Sequence, residues 1–143
     1  DLVIIGIGSL YTSIIPNLLS PEMKKALKES TAKKMYVCNI MSEHGETDDY
    51  NVSDCIKNIN KYVCKDFIDV VLVNNKKVPD NILELYKEEH SKQIMLDEEN
   101  VNAMGVKLIT SDLLFISKHN QVRHDYIKTA LEVFTYLTKE EER

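Results

Sequence analysis

No apolar run in this 143-residue chain approaches the roughly 20 residues that a membrane-spanning helix needs. That shortage excludes a helical span. An excess of positive charge is missing too: 18 Lys and Arg stand against 23 Asp and Glu, for a net charge of −5. A general electrostatic grip on phosphodiester backbones needs the opposite sign, so nucleic acid is excluded as the expected partner. Cysteine is scarce. Cys38, Cys55 and Cys64 are odd in number and lack the close CxxC pairs of zinc and redox sites, which leaves reduced and mostly buried thiols as the expectation. No cleavable signal is visible, because the opening apolar run is short and has no basic flank before it. There is no internal repeat, low-complexity tract or Gly/Ser-rich linker.

What is present is the composition of a globular domain, 43% apolar and 29% charged. The chain starts at Asp1 with a strand-like run already under way, so residues 1–143 are expected to be part of one α/β domain of a longer chain. Short β-branched runs alternate with segments of helical period, which predicts a mostly parallel sheet with helices on both faces. The strand candidates are Leu2 to Ile5, Met35 to Ile40 and Val70 to Val73, with weaker runs at Gln93 to Leu96, Val106 to Ile109 and Leu113 to Ile116. Pro16 predicts that the helical stretch 10–19 is short and broken before a second helix. Ser20, Pro21 and Glu22 supply cap, first-turn proline and first-turn acid for a helix over about 21–30. Asn51 with Asp54 forms a capping-box pattern ahead of the stripe Val52, Ile56, Ile59 and Val63. Asp80 is expected to cap a helix whose packed side holds Ile82, Leu83, Leu85 and Tyr86. A last helix, about 125–137, is expected to face Ile127, Leu131 and Phe134 inward and then fray through Lys139 to Arg143.

The stretch GIGSLYTSII follows the first apolar run directly. A strand, a glycine-containing loop and a helix start together make an anion site, because loop and first-turn N–H groups lack internal partners. Gly6 and Gly8 allow close backbone approach, and Ser9, Thr12 and Ser13 carry hydroxyls that suit a diphosphate. Two phosphate motifs are excluded. The Rossmann fingerprint needs a third glycine where Tyr11 stands and an acid where Asn39 stands, and the Walker loop needs a lysine that 1–23 lacks. The competing explanation is a tight turn in which Ser9 merely caps a helix.

The second candidate loop is NIMSEHGETDDY, residues 39–50. Loops at the carboxyl ends of neighbouring strands share one crevice at a topological switch point, so the two loops are expected to meet over one ligand. Asn39 would read a base or sugar hydroxyl, Gly45 permits a bend, and Thr47 would donate to phosphate or cap the next turn. Glu46, Asp48 and Asp49 could carry Mg²⁺ through water, although acids before a helix also serve its dipole. His44 with Cys38 lacks the partners of a zinc site. Arg123-His124-Asp125 offers a cation or imidazole beside the site, with a surface ion pair and N-cap as the plainer account. Asn74 and Asn75 end the third strand and fit either ligand contact or a turn. Spacing reveals no nucleophile.

GIGSLYTSIIPNLL, YVCNIMSEHGETDDYNVSD, VLVNN and VRHDYIKTAL, in that order, resemble the C-terminal half of the YvcK/CofD-like family, and specifically its YvcK branch. Ile7 replaces a usual proline, and Glu43-His44 a usual glutamine-proline pair. The resemblance implies a Rossmann-like fold and a cytoplasmic bacterial regulatory protein, a gluconeogenesis factor. It also implies binding of a nucleotide-diphosphate sugar, UDP-N-acetylglucosamine, in control of cell-wall precursors and cell shape. The other branch implies an enzyme, a 2-phospho-L-lactate transferase using Mg²⁺ and a guanosine diphosphate donor; the Ser9 to Ser13 run favours the first branch. The expected ligand-binding set is Gly6, Gly8, Ser9, Leu10, Tyr11, Thr12, Ser13, Asn39, Gly45, Glu46 and Thr47. Asp48 and Asp49 are the metal candidates, no catalytic residue is assigned, and a homo-oligomer is carried as an expectation.

Overall fold

The computed structural model describes residues 1–141. Its centre is a four-stranded, fully parallel sheet of β1 (Leu2–Ile5), β2 (Lys33–Val37), β3 (Val70–Asn74) and β4 (Lys107–Ser111), in the order β1-β2-β3-β4. Ile5 lies opposite Tyr36, and Leu72 is aligned with both Val37 and Ile109. A separate antiparallel hairpin pairs β5 (Leu114–Ile116) with β6 (Val122–His124).

Between β1 and β2 the chain makes a π-helical turn (Leu10–Ile14), α1 (Ile15–Leu18) and α2 (Pro21–Glu29). Pro16 sits in the first turn of α1, where its missing N–H costs nothing, and Ser20 caps α2 by accepting from the Met23 amide at 3.3 Å. Helix α3 (Val52–Val63) follows β2, and Asp54 accepts from the Asn51 amide at 3.1 Å. Its stripe Val52, Ile56, Ile59 and Val63 is buried as the spacing requires. Helices α4 (Asp80–Lys87) and α5 (Glu98–Ala103) lead to β4, and α6 (Tyr126–Glu141) closes the described chain.

Side-chain alternation along the strands divides the core. Tyr36, Cys38, Val71 and Val73 pack with residues of α1, α3 and α5 on one face, whereas Met35, Val37, Val70 and Leu72 meet Val133 and Tyr136 of α6 on the other. Both faces are therefore covered, as parallel sheets require. Cys38 and Cys55 are buried thiols and Cys64 is half-buried.

Several boundaries and faces differ from the sequence expectation. Strand β2 ends at Val37, because Cys38 to Ile40 turn toward the loop beyond it. Gln93 to Leu96 forms only two isolated bridges, Met41 with Gln93 and Asn51 with Met95. Asp80 opens α4 rather than capping it, and Leu85 faces solvent. Ile127, Leu131 and Phe134 are 60–64% exposed, because Thr129, Val133 and Tyr136 form the stripe that α6 turns to the sheet. The fray expected from Lys139 does not begin there, since α6 continues to Glu141; Glu142 and Arg143 lie outside the described residues. The sequential strand order also removes the reversal point expected beneath the two loops.

Candidate functional site

A cavity of about 560 Å³ opens at the carboxyl ends of β1 and β2, against the β5–β6 hairpin. Gly8, Ser9, Asn39, Tyr86, Arg123 and His124 are among the residues that line it. Two glycines shape the first loop. Gly6 has φ +98°, and a Cβ there would stand 2.7 Å from the Val37 carbonyl oxygen; one on Gly8 would come 3.1 Å from Ser13 Cβ.

The Ser9 and Thr12 hydroxyls are engaged within the protein, while Thr12 and Ser13 themselves are exposed. Ser9 Oγ donates to Glu46 Oε2 at 2.5 Å and accepts from the Thr12 amide at 3.3 Å and the Thr12 hydroxyl at 2.6 Å. The Tyr11 amide donates to the same Glu46 oxygen at 3.3 Å. The Ser13 and Ile14 amides both bond the Ser9 carbonyl. Thr12 thus donates its hydroxyl proton to Ser9 and Ser9 its own to Glu46, whereas Ser13 does not join that network. The Glu46 carboxylate holds the donors that an anion would take. The Gly8 and Ser9 amides make no hydrogen bond among the described residues, and both residues line the cavity.

Other expected ligand residues make contacts within the protein. Leu10 is 2% exposed, in the core. Tyr11 donates its hydroxyl to Asn58 Oδ1 at 2.8 Å and shares a 2.9 Å bond with the Tyr50 hydroxyl. Burial, with the Tyr50 contact, pushes its phenol well above the ordinary range. Ser13 lines a different groove, beside α1 and α2. Thr47 is buried and closes its own turn, accepting from the Glu43 amide at 2.9 Å while donating its amide to the Glu43 carbonyl. Gly45 provides the bend, with φ +79°. Asn74 accepts from the Leu113 amide at 3.1 Å, so it holds a turn.

Asn39 keeps a place at the site. Its Nδ2 donates to the Gly8 carbonyl at 2.9 Å, which binds the two loops together, and its Oδ1 is buried without a partner among the described residues. The acidic residues of the second loop do not converge on a metal. Asp48 accepts from the Gly45 amide at 2.6 Å and contacts His44 Nδ1 at 3.1 Å, and Asp49 pairs with Lys92. Among the described residues no three metal-ligating side chains gather. The carboxylates therefore do not fit a shared Mg²⁺ site.

The far wall was only partly legible. Tyr86 of α4 accepts from the Val122 amide at 2.8 Å, which leaves its own hydroxyl proton free of any partner among the described residues. The sequence assigns Tyr86 only to an amphipathic stripe, so nothing local signals this position. Arg123 bonds the Gln121 side chain at 3.3 Å, and His124 Nε2 lies 3.0 Å from the Cys38 carbonyl. Burial pushes the His124 imidazole below its ordinary value, against the opposing pull of that carbonyl. Asp125 caps α6 through the Ile127 and Lys128 amides, at 3.1 Å each, which is the N-cap half of the plainer account of that triplet; Arg123 bonds Gln121 rather than an acid.

Comparison with known proteins extends beyond geometry. A gluconeogenesis factor from Bacillus subtilis is 42% identical over 130 residues, covering 91% of this chain and 41% of that protein. One from Halalkalibacterium halodurans is 38% identical over 130 residues, covering 91% and 40%. A crystal structure of a Bacillus halodurans protein superposes with a TM-score of 0.89 at 35% identity, covering 94% of this chain and 43% of that one. The chain thus spans 28% to 42% of the length of such curated relatives. The family model described as 2-phospho-L-lactate transferase CofD matches residues 1–114, and the chain belongs to that CofD family.

Proposed function

We propose that the cavity binds a nucleotide-diphosphate sugar, UDP-N-acetylglucosamine, and that the chain serves a regulatory rather than a catalytic role, as part of a gluconeogenesis factor. The observation that carries this reading is the composition of the cavity wall. Gly8 and Ser9, whose amides are unbonded among the described residues, line it with Asn39 and with Arg123, the only lysine or arginine lining it among the described residues. Amides and a guanidinium suit phosphate oxygens, while Asn39 and Tyr86 offer polar groups to a sugar or base. The volume, about 560 Å³, lies in the range of small-molecule sites. The names of the relatives support the gluconeogenesis assignment. A cytoplasmic role in cell-wall precursor control and cell shape belongs to the same proposal; no helix among the described residues is long and apolar enough to cross a membrane. Calorimetric titration with UDP-N-acetylglucosamine tests it. Binding that weakens about tenfold or more in Arg123→Ala is expected, given what a bond to a charged group contributes; absence of any heat with the wild type rejects the reading.

The family description favours a second reading, a transferase acting on a nucleotide-diphosphate donor. Against it stand the engaged carboxylates of Glu46, Asp48 and Asp49. Mg²⁺-dependent consumption of such a donor would establish it over the first.

A further inference from the structure

His124 is half-buried on the cavity wall and makes one hydrogen bond among the described residues, from Nε2 to the Cys38 carbonyl oxygen at 3.0 Å. A carbonyl oxygen only accepts, so Nε2 carries the proton and Nδ1 keeps its lone pair. That lone pair is reachable. Asn39 Oδ1 is the only buried and partnerless side-chain polar atom among the described residues, so the unpartnered Nδ1 of His124 is not sealed off. His124 lines the cavity together with Arg123, Gly8 and Ser9.

We propose that His124 is a specificity-determining residue of this cavity, whose Nδ1 accepts a hydrogen bond from an uncharged O–H or N–H of the ligand. This rests on the nucleotide-sugar reading and divides the site chemically. The oxygens of a doubly esterified diphosphate, which carry no proton at neutral pH, only accept; they are repelled by a lone pair and belong with Arg123 and the amides. The donor comes from the sugar or from the base. Either source is neutral, and a half-buried imidazole that stays uncharged can meet it without desolvating a charge. Protonation would turn Nδ1 into a donor and remove the match. The charged and titratable groups sharing the cavity with it are Arg123 from β6, Glu43 and His44 from the loop after β2, and Tyr86 and Glu89 from α4 and the turn beyond it; Asp125 follows it in sequence and caps α6.

The test uses His124→Gln, whose amide can reach the Cys38 carbonyl in place of Nε2 but supplies nothing at Nδ1. Titrations with UDP-N-acetylglucosamine, UDP and inorganic pyrophosphate separate the groups of the ligand. The expected result is about a tenfold loss for UDP-N-acetylglucosamine, the scale of one hydrogen bond, with pyrophosphate unchanged. A loss confined to the sugar nucleotide assigns the donor to the sugar, and an equal loss for UDP assigns it to the base. Wild-type affinity should also weaken as pH falls through the lowered titration range of the His124 imidazole, below the ordinary histidine range, while His124→Gln stays flat there. Full affinity in His124→Gln, or equal loss for pyrophosphate, overturns the inference and leaves the nucleotide-sugar reading standing. No binding by the wild type overturns both. Nitrogen-15 spectra of the free wild-type imidazole give a second readout: a proton on Nδ1 instead of Nε2 overturns the inference whether or not the variant folds.

Discussion

Ser9 and Glu46, 37 residues apart, are joined by a 2.5 Å hydrogen bond that ties the loop after β1 to the loop after β2. The carboxylate also takes the Tyr11 amide, so two donors converge on one oxygen. Removing it leaves a half-buried hydroxyl and an amide without their acceptor, and each is then undersolvated. Glu46→Ala is expected to lower stability by about 1–3 kcal/mol. Urea denaturation of Glu46→Ala, Ser9→Ala and the double variant should show strong non-additivity, because both single changes break the same bond. Additive losses would mean that the two side chains act independently.

Gly6 is the backbone counterpart of that tie. Its φ of +98° is one that side chains rarely adopt, and an added Cβ would meet the Val37 carbonyl at 2.7 Å, a backbone atom that cannot swing aside. Gly6→Ala should therefore lose about 2 kcal/mol or more and shift the thermal midpoint of a chain this size by several degrees. Gly45→Ala offers an informative contrast. It shares the positive φ, +79°, but no atom lies within 4 Å of its added Cβ, so its loss should be the smaller. Calorimetry of the two variants compares strain alone with strain plus collision.

Asp97, ahead of α5, reaches back to α3. It accepts from the Ser53 amide at 3.0 Å, the Ser53 hydroxyl at 2.6 Å and the Asn100 side chain at 2.9 Å. Burial pushes its carboxyl up, but the Ser53 bonds outweigh that and hold it below the ordinary carboxylate range. The sign follows: the folded state binds the proton less readily than the unfolded one, so this stabilisation is present at neutral pH and is lost as pH falls through the carboxylate range. Asp97→Ala should cost about 1–3 kcal/mol at pH 7 and progressively less toward pH 3, read as urea midpoints. An unchanged gap between the two pH values would refute the charge-dependent part.

Much of this architecture is legible in the residues, for identifiable reasons. The α3 stripe has one apolar face, so spacing alone finds its buried side, and β3 is apolar at four successive positions because both its faces are covered. Helix α6 carries apolar residues on two faces. Period locates both stripes but does not choose between them, and the sheet selects Val133 and Tyr136 over Leu131 and Phe134. The two candidate loops do meet, at Ser9 with Glu46 and Gly8 with Asn39. What the motif could not reveal is that the Glu46 carboxylate of the second loop would take its donors, or that Leu10 and Tyr11 would pack with the core. Tyr86 and His124 stand 36 to 86 residues from the backbone groups they touch, contacts that no local pattern encodes.

His124 predicts an acid-side dependence opposite in origin to that of Asp97. Burial lowers its imidazole below the ordinary value, despite the Cys38 carbonyl at 3.0 Å, so the unfolded chain takes up the proton first as pH falls. Unfolding then gains a bound proton, and stability rises with pH across the interval between the folded and unfolded values. Above about pH 6.5, the ordinary histidine value, the full stability should be present. Below it the thermal midpoint should decline toward the lowered folded value and then level with respect to this group. His124→Gln, which has no titrating ring, should flatten that segment of the profile while leaving the Asp97-dependent fall at lower pH in place. Thermal midpoints measured from pH 7.5 to 4.5 separate the two groups, and a wild-type profile that matches His124→Gln throughout would show that folding does not sense this imidazole.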